Sequence, residues 1–315
     1  MKRYILKRFV SLILVLFVVS VMIFALVHLT PGDPARIMLG EKASEAEVAQ
    51  QRELMGLNDP IVIQYFNWVG GLFVGDFGES YFIAEPMTQI IGEHLSATIS
   101  ITVFSLIIAI IVAIPLGIIA AKKRATVIDQ SITVFSLLGI STPGFLVAML
   151  LMMLFSVQLG ILPVAGYVPI SQGGLFEHLK YLLMPCVAMG FVQAAFITRM
   201  TRASMLDVLY MDYIKMARAK GVREKKILRK HALRNALPPI ITIIGQSLIG
   251  LLAGAIILEN LFNIPGLGKL MMNSVMRRDY EVVQAIVLMI SMLNVIVTFV
   301  VDLLYALVDP RVKME

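Results

Sequence analysis

The side chains best suited to binding another molecule lie mainly in one basic stretch, 212–222. The pattern predicts a short helix that ends at Gly221, followed by a turn and a second helix. Small side chains there would let the backbone of a partner approach closely, and basic ones would meet acidic groups on that partner. These residues are the small Ala217, Ala219 and Gly221 and the basic Arg218, Lys220 and Arg223. A basic amphipathic segment resting on anionic lipid fits the same spacing.

Mild polar residues inside otherwise apolar stretches form a second group of candidates. Gln193, Gln246 and Asn294 could line the path of a transported solute. Hydrogen bonds between membrane helices are the more common use of such side chains. Gly250 and Gly254 have a spacing of small residues that predicts close helix packing.

The sequence contains no catalytic or metal-binding constellation that we recognise, so we predict no catalytic residue, no metal and no cofactor. It lacks a His-Glu-x-x-His pair and a Gly-x-Ser-x-Gly elbow. Its four histidines are scattered, and one cysteine, Cys186, cannot build a disulfide framework or a thiolate cluster. The segment Gly266-Leu267-Gly268-Lys269 lacks the first glycine and the hydroxyl residue of a phosphate-binding loop.

The composition places these residues in a membrane protein. Of 315 residues, 58% are hydrophobic and 15% are charged, whereas soluble domains have roughly 45–50% apolar and about 25% charged residues. Six stretches are long and apolar enough to span a bilayer as helices, and none contains Asp, Glu, Lys or Arg. They are 9–29, 97–121, 131–159, 181–198, 237–258 and 282–301.

The charge distribution predicts that both termini are cytoplasmic. With that orientation the inner segments contain 20 of the 27 basic residues and 7 of the 21 carboxylates, as the positive-inside rule requires. Because topology alone accounts for the net charge of +6, we predict no nucleic-acid partner. The first span is predicted to be a retained anchor, since it exceeds the apolar region of a signal peptide and no small-x-small site follows.

Two long loops organise the chain. In the outer loop, Ser44-Glu45-Ala46-Glu47 fits a capping box that opens a helix, which Gly56 could end. Residues 61–68 fit a helix in the headgroup layer, where aromatic rings prefer to lie. The predicted divisions are 1–29 (N-terminus and first helix), 30–96 (extracytoplasmic loop with short helices) and 97–315 (five-helix core with the cytoplasmic loop 199–236).

The basic stretch also carries a motif. Ala217, Gly221 and the pair Leu237-Pro238 occupy places that match the EAA loop of permease subunits in ABC importers. The usual Glu-Ala-Ala opening is here Met216-Ala217-Arg218, a departure common in the peptide-permease branch. Other segments, in order along nearly the whole chain, resemble the same dipeptide/oligopeptide branch. They are Thr30-Pro31-Gly32-Asp33-Pro34, Leu57-Asn58-Asp59-Pro60, Gly75-Asp76-Phe77-Gly78, the stretch 199–205, Pro265-Gly266-Leu267-Gly268, Arg277-Arg278-Asp279-Tyr280 and Asp309-Pro310-Arg311.

This resemblance implies an all-α integral membrane protein with six transmembrane helices, the type I ABC importer permease fold and an outer subdomain between helices 1 and 2. It implies a non-enzymatic pore subunit that moves small peptides across a bacterial or archaeal cell membrane by alternating access. The implied partners are a second, related permease, two cytosolic P-loop ATPases and an extracytoplasmic solute-binding protein. The implied coupling helix, about 213–221, would bind an ATPase groove through Tyr213, Ala217, Arg218, Ala219, Lys220 and Gly221.

Other functions stay open from the sequence. A stand-alone secondary transporter or channel would usually need intramembrane carboxylates or paired half-helices, which the predicted spans lack. A membrane scaffold could use the basic loop to hold a cytosolic partner. Within the same permease type, nickel chelates, glutathione or sugars are alternative cargoes.

Overall fold

A computed structural model describes residues 2–40, 42–80, 82–83 and 85–308, so the predicted motif Asp309-Pro310-Arg311 lies outside the described residues. Within them the chain is helical, with one isolated bridge and no strand, which confirms the predicted fold class. The helices are α1 (Lys2–Leu29), α2 (Pro34–Leu39), α3 (Glu45–Leu54), α4 (Ile61–Phe73), α5 (Met87–Lys122), α6 (Val127–Ser141), α7 (Gly144–Leu151), α8 (Ile170–Leu209), α9 (Asp212–Ala219), α10 (Glu224–Lys226), α11 (Leu233–Leu261), α12 (Leu267–Arg277) and α13 (Tyr280–Val308). Two π-helical segments, Met152–Gln158 and Ile227–Ala232, follow α7 and α10.

Five helical segments of the described chain are long and apolar enough to cross a membrane, and a sixth span exists if one bent pair is counted as a single crossing. The six predicted stretches fall on these segments. The five are Arg8–Leu29, Met87–Lys122, Ile170–Leu209, Glu224–Leu261 and Tyr280–Leu304, and the bent pair is Val127–Ser141 with Gly144–Gln158.

The third predicted span is not the continuous helix that its apolar run predicts. The chain bends by 99° between α6 and the segment that begins with α7. Thr142 is extended, with φ −96° and ψ 123°, and Pro143 follows it. A proline disfavours helical backbone in the residue before it and has no N–H to donate, so one helix stops and another begins.

The helices also extend past the predicted apolar stretches and take in carboxylates. Glu259 lies near the end of α11 and is fully buried, and Thr98 Oγ1 of α5 donates to its Oε1 at 2.6 Å. The predicted spans contain no charged residue, but the helices of the structure are longer than those spans and do contain them. Among the described residues, no three His, Cys, Asp or Glu side chains are placed to share a metal ion.

Packing divides the chain into two compact units. The first comprises Ala97–Ile264 with the described parts of Met1–Leu6 and Ile296–Glu315. Its helices approach closely at glycines: an added Cβ would lie 2.6 Å from Thr201 Cβ at Gly117 and 2.5 Å from Ala195 Cβ at Gly139. These contacts bring α5 and α6 against α8, as small residues do between membrane helices.

At Gly250 and Gly254 the described chain shows only ordinary contacts with α8, so the close packing predicted there stays a prediction. An added Cβ would first meet only the ends of flexible side chains, Gln193 Nε2 at 3.4 Å and Met189 Cε at 3.5 Å. The spacing of Gly250 and Gly254 identifies a helix face of small residues, but it does not identify which helix packs against that face.

This difference predicts opposite results for the same substitution. Gly139→Ala is expected to destabilise the chain by about 1–3 kcal/mol, because the added methyl overpacks a helix contact. Gly254→Ala has room and should be neutral or slightly stabilising, since alanine is the better helix former. Thermal unfolding of both variants in mild detergent tests this, and equal melting temperatures would contradict the assigned contacts.

The second unit comprises Lys7–Ser96 and Pro265–Val295. The predicted capping box is confirmed at the start of α3: Ser44 Oγ accepts from Glu47 N at 3.3 Å, and Ser44 N donates to Glu47 Oε2 at 2.8 Å. Beyond α3, Gly56 has φ +67° and ends the helix as predicted. The predicted helix at 61–68 is confirmed as α4, and its location in the headgroup layer stays a prediction.

Candidate functional site

The basic stretch forms a helix, α9, that is fixed to the first unit by a buried side chain. Ile214 is fully buried. It belongs to a hydrophobic cluster with residues from α5, α8 and the helical segment that starts at Glu224. The other buried members are Ala121, Met205, Val208, Leu209, Ile227, Leu228, Ala232, Ala236 and Ile240. A helix of only eight residues is unstable by itself, so this anchor explains why α9 is ordered.

The end of α9 is built as the sequence predicts. Gly221 has φ +72°. Its N–H donates to Arg218 O at 2.9 Å, and Val222 N–H donates to Ala217 O at 3.1 Å. These two bonds form the Schellman motif, which favours glycine because of its left-handed backbone. An added Cβ would meet no heavy atom within 4 Å, so the requirement for glycine comes from the backbone alone.

The predicted coupling residues are accessible on α9. All are exposed except Ala217, which is half-buried. Tyr213 also accepts a hydrogen bond at its hydroxyl from Asn235 Nδ2 of α11, at 2.9 Å. Through Ile214 and Tyr213, this short helix is held against the helical segments on both sides of it.

Arg218, one of the predicted coupling residues, forms an ion pair within its own chain. Its Nη2 donates to Glu224 Oε1 at 2.9 Å and its Nε donates to Glu224 Oε2 at 3.3 Å, and hydrogen bonding to this carboxylate raises the pKa of Arg218. Arg218 therefore fixes the turn after α9. Within the described chain Lys220 and Arg223 make no ion pair, so both cations are available to an acidic partner.

A second ion pair, which the sequence did not single out, supports the same region. Arg202 of α8 donates to Asp129 of α6 through Nε at 2.6 Å and Nη2 at 2.8 Å. Asp129 also accepts from Ala125 N at 3.0 Å. In the adjacent turn, Arg124 lies 4.9 Å from the ring centre of Tyr210. Arg202 belongs to the 199–205 segment that carries the family resemblance, and that position was the available signal.

Of the three candidate path residues, two belong to the first unit and one to the second. Gln193 lines a cavity of about 320 Å³ in the first unit. Gln246 is exposed and does not line it, and Asn294 belongs to the second unit. The other lining residues are Pro143, Gly144, Phe145, Met189, Val192, Gly250, Leu251, Gly254, Ile257 and Leu258. Most are apolar, and a search of the sequence for polar residues therefore could not find them.

The broken span, the Asp129–Arg202 ion pair and the anchored basic helix belong to a membrane protein that is more than a set of simple spans. A family model for the binding-protein-dependent transport system inner membrane component matches residues 113–314, and the model for its N-terminal part matches residues 1–102. The chain belongs to this family. It is a membrane-spanning permease component of an ABC importer, as the resemblance implied.

Relatives match the chain over its full length. The oligopeptide transport system permease protein AppB of Bacillus subtilis (strain 168) is 38% identical over 315 residues, covering 99% of this chain and 100% of AppB. The glutathione transport system permease protein GsiC of Escherichia coli (strain K12) is 39% identical, covering 100% of both chains. A solved chain from an inward-facing conformation of the MetNI methionine ABC transporter aligns with a TM-score of 0.61 and 19% identity over 72% of this chain and 100% of its own. That likeness confirms the type I importer permease fold.

Proposed function

We propose that this chain is one of two pore-forming permeases in an ATP-driven importer of short peptides and that α9 is its coupling helix. The observation that carries the coupling role is the anchored, accessible α9. A helix that transmits force must be fixed to the spans on one side and open to a partner on the other. Ile214 supplies the first property, and the exposed Tyr213, Met216 and Lys220 supply the second.

The mechanism follows from these attachments. α9 packs on the cluster that includes the ends of α5 and α8 and the start of the segment leading into α11. Movement of a partner bound to α9 would therefore act on several spans as a rigid body, without requiring α9 itself to deform. In this proposal, closure of an ATPase dimer reorients the spans and so gives alternating access.

The partners and orientation belong to the same proposal. Two cytosolic ATPases bind this chain and a second, related permease, and an extracytoplasmic binding protein delivers the cargo. The excess of basic residues supports cytoplasmic termini in the inner membrane, with α9 on the inner side. The oligopeptide permease and the glutathione permease reported above both support a short-peptide cargo. Glutathione is a modified tripeptide, so it is a variant within the same class of cargo.

Gentle purification of the tagged chain tests the proposed assembly. Mass spectrometry is expected to identify a second multi-span permease and one or two P-loop ATPases in the same complex. Reconstituted with the binding protein, the complex should import a labelled dipeptide only when ATP is present. Uptake that proceeds without ATP, or a monodisperse chain without ATPase under conditions that preserve other ABC complexes, would contradict the proposal.

A further inference from the structure

We propose that a small basic cavity, on the side of the spans that the proposed orientation places in the cytoplasm, binds the phosphate group of an anionic phospholipid. The cavity lies in the first unit and has a volume of about 160 Å³. Sites that enclose a whole small molecule are larger, so this one suits a single group such as a phosphate. Its walls are the ends of α5 and α8 and the turn between α9 and α10. Such a site depends on the orientation of the chain but not on its cargo.

Cations outnumber carboxylates around this basic cavity. Lys122, Arg124 and Arg218 line it together with a single acid, Glu224. Arg218 donates to both oxygens of Glu224, so that carboxylate already has its partner. Within the described chain, the side chains of Lys122 and Arg124 make no ion pair and no hydrogen bond. Two such cations beside one cavity favour an anion, and phosphate oxygens are strong acceptors for both side chains.

A strained turn holds Arg124 at the basic cavity. The next residue, Ala125, has φ +63°, a left-handed backbone that is unfavourable for an L-residue. Ala125 N donates to Asp129 Oδ2 at 3.0 Å, and Arg202 holds Asp129. The guanidinium carbon of Arg124 lies 4.9 Å from the ring centre of Tyr210, which also lines the cavity. Strain that the surrounding structure maintains is typical of functional sites, and here it positions a cation.

An exposed apolar stripe on α5 favours a lipid over free phosphate. Ile111, Pro115 and Ile119 are exposed. Together with Lys122 they follow one another at intervals of four or three residues, so all four share one face of the helix. An acyl chain lying along this face would bring its headgroup to Lys122. Basic pockets between membrane helices on the cytoplasmic side are a recognised kind of site for anionic headgroups.

Lipid binding to the purified full chain tests this assignment. Native mass spectrometry counts the lipids bound to the chain while the fraction of phosphatidylglycerol in mixed micelles is raised. Arg124→Gln removes one cation of the cavity. It is expected to raise the lipid fraction that half-saturates the first site by about tenfold. Lys122→Gln should act in the same direction and provides a second variant if Arg124→Gln fails to fold.

A neighbouring lysine supplies the matched control. Lys123 is exposed beside Lys122 and Arg124 but does not line the basic cavity, so Lys123→Gln should titrate like the unchanged chain. Equal weakening in all three variants would show that surface charge alone attracts the lipid. That result would overturn the site, as would unchanged lipid binding in folded Arg124→Gln and Lys122→Gln. Phosphatidylcholine has no net charge and should bind less tightly; equal binding would overturn the assignment to an anionic lipid.

Two further results separate the possible occupants. Excess inorganic phosphate should leave phosphatidylglycerol bound, and its displacement would show that the basic cavity takes free phosphate instead of lipid. If Arg124→Gln leaves lipid binding unchanged but reduces the ATPase recovered with the tagged chain, an acidic segment of the partner occupies the cavity and the lipid assignment is overturned. The titration uses the chain without its partners, so failure of this site and failure of the import function give separate results.

Discussion

The Gly221→Val variant is expected to lose most ATP-coupled uptake and ATPase stimulation while remaining in the membrane. A left-handed backbone costs an L-residue about 1–2 kcal/mol, and a β-branched side chain is among the worst at such a position. Each 1.4 kcal/mol changes a population about tenfold, so the Schellman end of α9 would be largely lost. The buried cluster beneath Ile214 does not involve Gly221, which leaves the rest of the fold intact.

Matched variants isolate the geometry of α9 as the cause. Gly221→Asn should retain most uptake, because asparagine tolerates the left-handed region. Gly160 follows another helical segment with φ +64° and, like Gly221, has no heavy atom within 4 Å of an added Cβ. Gly160→Val imposes the same backbone strain away from α9 and should leave coupling intact. Normal uptake by Gly221→Val would show that α9 is not the coupling helix.

The second large effect is expected at the ion pair between α6 and α8. Arg202→Met leaves Asp129 buried without its bidentate partner, and breaking one side of such a pair costs about 3–5 kcal/mol. The side chain of Asp129 is only 5% exposed, so the charge left behind is poorly hydrated. The expected result is a large drop in the thermal stability of the purified chain, measured by size-exclusion chromatography after heating.

If the unpaired charge of Asp129 causes the loss of stability in Arg202→Met, removing that charge as well should restore stability. Asp129→Leu combined with Arg202→Met replaces both charges with apolar groups and should recover much of the stability, as paired apolar replacements often do. Arg199→Met, at an exposed position on the same helix, should have little effect. A double variant no more stable than Arg202→Met would contradict the assigned pairing.

Local signals in the sequence predicted helices and their ends well. The capping box at Ser44 and the glycine at 221 each determine local hydrogen bonds, and the structure has both. The apolar stretches likewise located the spans, because length and hydropathy are properties of the segment itself. The break at Thr142-Pro143 was missed because the apolar pattern is uninterrupted there, although the proline was a visible signal.

Features that depend on distant neighbours could not be predicted in the same way. The Asp129–Arg202 pair joins residues 73 positions apart, and no spacing rule connects them. Arg218 was predicted to meet a partner, and its additional ion pair with Glu224 of the same chain was not foreseen. Gln193, Gln246 and Asn294 were grouped by polarity, which does not specify location, and only Gln193 lines the cavity beside Gly250.

The bend between α6 and α7 has a consequence for the breadth of cargo. Interrupted backbone within a membrane is tolerated only against protein or water, and Pro143, Gly144 and Phe145 line the 320 Å³ cavity at this bend. The lining of this cavity is mostly apolar and contains no charged side chain. A solute that meets such a wall meets no fixed charge, so under the proposed import function the cavity would limit the width of a peptide more than it selects among uncharged side chains.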